Sequence, residues 1–289
     1  MKILILDISE GYNKYNLYIS DLVKALKAST ITRKVEYDLV LVNYLLPVKN
    51  AFYIIQETIV EKITIDGVNR VKEFAKGFIV HSEYTKQQLL NHFDDINIIV
   101  IPNYVNENIY KYTTKKIMNS ILYVGRIHKN NREYWLPLIK AMDSLPMFNL
   151  TVAGKVTDNL IYDYVKNSRI NNINVIGEVE NDKKIQLMKD FEFGVSHGRT
   201  AKEMLLSGMS VILNGKGYGG WITNDNIEIN LRDNFSGLHI LPKENVNELI
   251  VSDMNNPQNI DKKIVINYLS LNRNKDQYLN LVGEQNDRN

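Results

Sequence analysis

Cysteine is absent from this chain of 289 residues. Its absence excludes a disulfide, a thiolate metal site and a cysteine nucleophile. Long apolar runs are missing too, and no stretch approaches the roughly 20 residues that a helical membrane span needs. The first apolar run, Ile3 to Leu6, ends at Asp7. It is too short for the core of a signal peptide and reads as a first strand. A cytoplasmic protein is the expectation, with peripheral contact to a membrane surface left open. Charge of one sign is not in excess either: 35 basic residues face 33 acidic ones, a formal net charge of +2. Proteins devoted to DNA or RNA carry a basic footprint, so nucleic acid is disfavoured as the main partner. The five histidines, His81, His92, His128, His197 and His239, lack metal-ligand spacing. Asp94-Asp95 reads as a solvated turn, and no metal or cofactor is expected. There is no internal repeat and no low-complexity tract.

What is present is the balance of a globular protein, with 44% hydrophobic and 24% charged residues. Short aliphatic runs alternate with amphipathic stretches. Strands are expected at 2–6, 39–43, 52–55, 77–81 and 96–101, with helices at 17–27, 67–75 and 83–93, the last capped by Ser82. The pattern breaks in a polar, lysine-bearing segment between Pro102 and Lys116. A second series follows, with strands at 120–124, 149–153, 173–176, 191–195 and 211–213. Its helices are expected at 134–142, 159–166, 182–189 and 202–206, and a tail helix at 264–281 precedes a polar end, 283–289, expected to be disordered. Alternating strands and helices make parallel sheets covered on both faces. The fold class is therefore α/β, with an N-terminal domain at 1–114, a second at 115–263 and a C-terminal segment at 264–289. Two such domains are expected to face a cleft, where ligands sit beyond the carboxyl ends of the strands.

The segment from Ser196 to Gly208 carries the most chemistry. The apolar run Phe191 to Val195 enters it as a strand, and a turn of glycine and polar residues leads into a short helix bearing Glu203. A carboxylate above a strand-to-helix crossing can accept hydrogen bonds from sugar hydroxyls. The helix start beside it offers free backbone N–H groups to a phosphate. A sugar nucleotide needs both kinds of contact.

Several blocks in this order resemble the GT-B class of glycosyltransferases, in particular the large retaining family that uses nucleotide-sugar donors. They are Lys76 to Lys86 around Ser82-Glu83-Tyr84-Thr85, Ile99 to Val105 around Pro102-Asn103, Ile121 to Ile127 around Gly125-Arg126, and Glu203 to Gly208 with Val211-Ile212. Gly219 to Thr223 and Asn234 to Gly237 are similar to blocks of one branch of that family. The likeness runs from about residue 76 to 237; the residues before it fit by pattern alone. Three positions depart from the family. Asn131 stands where a lysine is frequent, Val195 where the first glutamate of a pair would fall, and Tyr104 where glycine is usual. The branch with the Gly-Trp block also carries a Gly-Arg element, which Gly198-Arg199 match.

The resemblance implies a GT-B fold with a C-terminal helix crossing back to the first domain. It also implies roles for individual residues. Arg126, after Gly125, would hold the donor diphosphate, since a planar guanidinium binds phosphate bidentately. Lys129 or Arg132 would supply the second cation that the family takes from its lysine. Glu203 would hold sugar or ribose hydroxyls, and Arg199 and Thr200 would reach phosphate, unless Arg199 pairs with a carboxylate of the protein. Gly11, in the loop after the first strand, would approach donor and acceptor. Gly154-Lys155 and Gly177-Glu178-Val179 would meet the nucleotide base, or serve only as strand ends. His197 with Gly198 lies at the cleft. Trp221 and Thr223 would shape the sugar pocket, or Trp221 belongs to the core. Glu57, closing a strand of the first domain, would be an acceptor-side acid or a helix-capping acid.

The activity implied is metal-independent, retaining transfer of a sugar from a nucleoside diphosphate donor, UDP-linked by expectation. The acceptor would be a glycan, a lipid-linked or a cell-envelope precursor. The alternatives are a non-catalytic sugar-nucleotide or glycan binder on the same fold and a phage-type DNA base glucosyltransferase.

Overall fold

A computed structural model describes residues 3–6, 39–42, 50–55, 60–167, 171–241 and 243–286. Two compact units are present. One comprises Met1–Asn106, Leu231–Asn234 and Ser270–Asn289; the other comprises Glu107–Asn230 and Phe235–Leu269.

The first unit holds a five-stranded sheet ordered β1 (Ile3–Leu6), β2 (Leu39–Val42), β3 (Ala51–Ile55), β4 (Ala75–Val80) and β5 (Ile98–Val100). Every pairing is parallel. Parallel neighbours need crossover connections; helix α1 (Lys62–Val71) makes the one between β3 and β4, and α2 (Glu83–Leu90) the one between β4 and β5. Tyr53, Ile55, Val68, Val71, Phe78, Val80 and Leu89 form the core. α1 starts at Lys62, before the expected Gly67; ahead of that glycine Thr64 is buried and Ile65 packs against the core. Ser82 caps α2 as its sequence predicts, its hydroxyl accepting from the Thr85 N–H at 3.1 Å. The helix expected at 17–27 lies outside the described residues, as do Gly11 and Glu57.

The second unit has a six-stranded sheet, and its order is what matters for function. The strands are β6 (Ile117–Val124), β7 (Asn149–Ala153), β8 (Ile173–Gly177), β9 (Phe191–Ser196), β10 (Ser210–Asn214) and β11 (Tyr218–Trp221), arranged β11-β10-β9-β6-β7-β8. All neighbours are parallel except β10 and β11. The chain runs outward from β6 through β7 to β8. It then returns to the other side of β6 for β9 and continues outward again. Helices α3 (Arg132–Ala141), α4 (Leu160–Asn167), α5 (Asn181–Asp190) and α6 (Gly198–Leu206) make the crossovers, with α7 (Ile227–Arg232), α8 (Val246–Asn255) and α9 (Lys262–Leu269) after them. The core packs Tyr123, Trp135, Leu138, Met142, Val152, Phe193, Val195, Ile212, Trp221, Ile250 and Met254 between sheet and helices.

Four expectations are corrected. Helix α6 begins at Gly198, not Lys202, so Arg199 and Thr200 lie in its first turn. β11, α7 and α8 have no counterpart in the sequence reading; glycines interrupt the alternation of the first. The tail is two helices, α9 and α10 (Leu271–Asn286), broken at Ser270, where a bridge to Val105 takes over the backbone pairing and the Leu271 N–H donates to the Val105 carbonyl at 3.1 Å. Gly283 to Asn286, expected to be disordered, continue α10.

Candidate functional site

In an open parallel sheet, ligands bind outside the carboxyl ends of the strands, where the order reverses. Crossovers on the two sides of that point lead their helices away from each other and leave a crevice. In the second unit this point lies between β6 and β9. Leu122 pairs with Gly194 across it. Continued along both strands, the register sets Gly125-Arg126 beside His197-Gly198. The structure thus brings the Gly-Arg pair and the start of α6 to adjacent strand ends.

The loop after β6 is tightly held. Ile127 forms a parallel bridge with Val156. The Thr157 N–H donates to the Ile127 carbonyl at 2.8 Å, and the Trp135 indole N–H to the His128 carbonyl at 3.3 Å. The Gly125 N–H donates to the Ala153 carbonyl at 3.0 Å, and the Gly154 N–H to the Gly177 carbonyl at 2.7 Å. At Gly154, with φ 148°, a Cβ would overlap the Gly125 carbonyl oxygen. Gly154 and Gly177 thus let the ends of β6, β7 and β8 pack backbone to backbone. Lys155 and Glu178-Val179 follow them, with Lys155 exposed.

The cations separate into committed and open ones. Arg126 is exposed, and its guanidinium makes no hydrogen bond or ion pair among the described residues. Lys129 is exposed on a 3-10 turn, Lys129–Asn131. Arg132 is committed: its Nε donates to Asp158 Oδ2 at 2.6 Å and its Nη2 to Oδ1 at 3.0 Å. That hydrogen bonding holds the Asp158 carboxyl below the usual carboxylate range.

Glu203 is 2% exposed. Its Oε2 accepts from Lys184 Nζ on α5 at 3.0 Å, and its Oε1 from Arg199 Nε at 2.9 Å, one turn earlier on α6. Burial works to raise the Glu203 pKa, but the two cations outweigh it and hold the carboxyl below its ordinary value. Lys184 also lies over the Tyr110 ring, 5.6 Å from its centroid. Arg199 therefore pairs with a carboxylate of the protein. A carboxylate has about four acceptor positions, so the two ion pairs leave Glu203 acceptor capacity.

His197 is the N-cap residue of α6 and packs against Tyr134 of α3, ring centroids 4.6 Å apart and planes tilted by 54°. The His197 side chain makes no capping hydrogen bond to α6. The Gly198 N–H is taken by the Phe235 carbonyl at 2.6 Å, and the Ala201 N–H makes the first helical bond, to the His197 carbonyl at 3.4 Å. The N–H of Thr200 is among those a helix start leaves without a helical partner. Phe235 is fully buried at φ 59°, a conformation uncommon for a bulky residue.

Other positions resolve into packing. Val195, at the position of the family glutamate, is fully buried in the core. Trp221 belongs to the core, its indole N–H donating to the Asp253 carbonyl at 2.9 Å. The Thr223 N–H donates to the Asn226 side chain at 2.9 Å, ahead of α7. Buried His81 donates from Nδ1 to the Ile101 carbonyl at 2.9 Å. His92 and Asp94-Asp95 are exposed in the first unit, and His239 is exposed in the second. The sequence reading missed Lys216, at the carboxyl end of β10. It bonds Glu133 at 3.1 Å and lies 5.5 Å from the Tyr134 ring centroid. Its setting among glycines gave no helical or strand period to mark it.

No protein-family model matches the chain, and no curated protein sequence matches it. Solved structures do. HepE of Anabaena, crystallised with UDP, aligns at 15% identity and a TM-score of 0.66, covering 98% of this chain and all (100%) of that one. AviGT4, a glycosyltransferase involved in avilamycin A biosynthesis, aligns at 12% identity and a TM-score of 0.67, covering 99% of this chain and 98% of its own. A glycosyltransferase from Rickettsia africae aligns at 15% identity and a TM-score of 0.58, with 98% of each chain covered. No helix among the described residues is long and apolar enough to cross a membrane. The likeness along nearly the whole chain gives this protein the GT-B fold of those glycosyltransferases.

Proposed function

We propose that this chain is a retaining glycosyltransferase that takes a sugar from a nucleoside diphosphate donor, UDP-linked by preference, without a metal ion. The reading is carried by the register of β6 and β9, which leaves Gly125-Arg126 and the start of α6 at neighbouring strand ends at the reversal point of the second sheet. HepE, which has the same fold, is crystallised with UDP and, in a second structure, with UDP and glucose. That supports a uridine nucleotide as the first donor to test.

In this reading the donor diphosphate lies between Arg126 and the start of α6, where the Thr200 N–H is offered to it. The bond from the anomeric carbon to the phosphate oxygen breaks, and its electron pair stays on the departing diphosphate. Arg126 stabilises that growing charge, as does the positive end of the α6 dipole. The acceptor oxygen bonds the anomeric carbon on the face that the leaving group vacates. Its proton passes to the departing phosphate oxygen, so no side chain acts as base. Glu203 holds Arg199 in place and accepts from donor hydroxyls through its remaining lone pairs. Gly154-Lys155 and Val179, at the ends of β7 and β8, border the base.

The test is turnover and calorimetry with UDP-sugars. Arg126→Ala is expected to lower kcat/KM by about 100-fold or more, the scale of losing one oriented charge at a developing anion. Near-normal turnover in both Arg126→Ala and Glu203→Ala would overturn the assignment. Tight donor binding with no transfer to a broad acceptor panel would point instead to a sugar-nucleotide binder.

A further inference from the structure

A departing diphosphate carries more charge than one guanidinium neutralises. Of the cations near Arg126, Arg132 is held by Asp158, and Lys129 is exposed, with no side-chain hydrogen bond or ion pair among the described residues to fix its direction. Asn131 stands where the family has lysine, and it is neutral. We propose that Lys216, from the carboxyl end of β10, supplies the second cation to the donor diphosphate. This rests on the glycosyltransferase reading above.

The sheet order places it. β10 lies against β9, and β9 against β6. Leu213 pairs with Ser196, so Asn214-Gly215-Lys216 leave the sheet level with His197-Gly198. Lys216 therefore emerges on the same side of the reversal point as the start of α6.

The backbone there is fixed before any ligand arrives. The Lys216 N–H donates to the Ser236 carbonyl at 2.8 Å. Asn214, two residues earlier, is buried and donates from its side chain to the Tyr134 carbonyl at 2.7 Å. Gly215 between them has no room for a Cβ, which would overlap the Ser236 carbonyl oxygen. A segment held this way presents its next side chain in one direction, which suits a charge that has to be in place as the bond breaks.

The side chain reaches the first turn of α3. Its ammonium lies 5.5 Å from the Tyr134 ring centroid, and that ring packs at a tilt against His197, the residue before α6. Its present acid partner is exposed: the Lys216 and Glu133 side chains are 46% and 54% accessible. Exposed ion pairs of this kind are weak, so a diphosphate replaces Glu133 readily. The Tyr134 and Glu133 contacts also raise the Lys216 pKa above its ordinary value, which keeps the group cationic at neutral pH.

Calorimetry with UDP, UMP and uridine on the full chain tests this. Lys216→Met is expected to weaken UDP binding by about tenfold or more, the loss of one charge-assisted contact. It should weaken UMP binding less and uridine binding less than about twofold. Lys216→Arg should keep UDP affinity near that of the wild type. Glu133→Gln should tighten UDP, because it removes the competing carboxylate; a merely structural pair would not show that sign. UDP binding unchanged in Lys216→Met, or an equal loss for UDP and uridine, overturns the assignment while leaving the donor site itself intact. Absence of UDP binding in the wild type would instead overturn the glycosyltransferase reading on which it rests.

Discussion

The Arg132 guanidinium straddles the Asp158 carboxylate, with Nε to Oδ2 at 2.6 Å and Nη2 to Oδ1 at 3.0 Å. It thereby ties the first residue of α3 to the loop after β7, where Asp158 also accepts from the Leu160 N–H at 3.3 Å. Arg132→Ala and Asp158→Ala are therefore expected to behave alike. Each should leave UDP affinity within about twofold of wild type, and the double variant should be no worse than either, as a double-mutant cycle reads for one shared contact. A loss of UDP affinity in Arg132→Ala alone would mean that this arginine touches the donor.

Glu203 faces two cations in a buried setting. Removing it leaves both uncompensated, so Glu203→Ala is expected to lose about 3–5 kcal/mol of stability in urea titration. Its carboxyl is depressed in the folded state. The stability it contributes is complete above the ordinary carboxylate range and falls away as pH drops through the folded value. Wild type should therefore lose stability in acid more steeply than the Glu203→Gln variant. Parallel curves would remove the ion pairs from the account.

Lys116 donates to the Met188, Lys189 and Ser207 carbonyls at 3.2, 3.0 and 2.8 Å, joining the ends of α5 and α6. Burial pushes its pKa down to about 8, against an ordinary 10.5. Between those values the unfolded chain holds more protons than the folded one, so stability rises with pH across that window. Measured against Lys116→Met, wild type should gain stability between pH 8 and 10.5 and show no such trend below pH 8. A flat difference across the window would contradict the buried ammonium.

Gly154→Ala is expected to be severe, because the new methyl would overlap the Gly125 carbonyl next to Arg126. Gly177→Ala, at φ 74° with nothing within 4 Å, meets only backbone strain of about 1 kcal/mol. Thermal melts and UDP titration of the two should differ clearly, with both readouts failing first in Gly154→Ala.

The parallel strands were legible because each carries a short, mostly apolar run between turn residues; β7 falls where its sequence predicts, from Asn149 to Ala153. Glycine concealed the rest. Gly198 reads as a turn but opens α6, and β11 carries Gly219 and Gly220 in its middle. Gly125-Arg126 and the α6 segment were visible as candidates from local sequence alone. Their meeting was not, since it depends on strand order, a long-range property. The same holds for Lys184, which reaches Glu203 from another helix, and for Lys216, whose position is set by β10 and by Ser236. Val195 departs from the family by residue type, and only burial shows it as a packing residue.

The two sheets differ in how they can be assembled as the chain is made. In one, each strand lies beside the strand before it, so pairing can follow synthesis step by step. In the other, β6 has one flank filled at once by β7, while the other flank stays open until Phe191 to Ser196 have been made. Closing so long a loop slows folding. The edge that later borders Arg126 thus waits through the synthesis of β7 and β8 before it is covered, and a ribosome-bound fragment ending before β9 would expose it to aggregation.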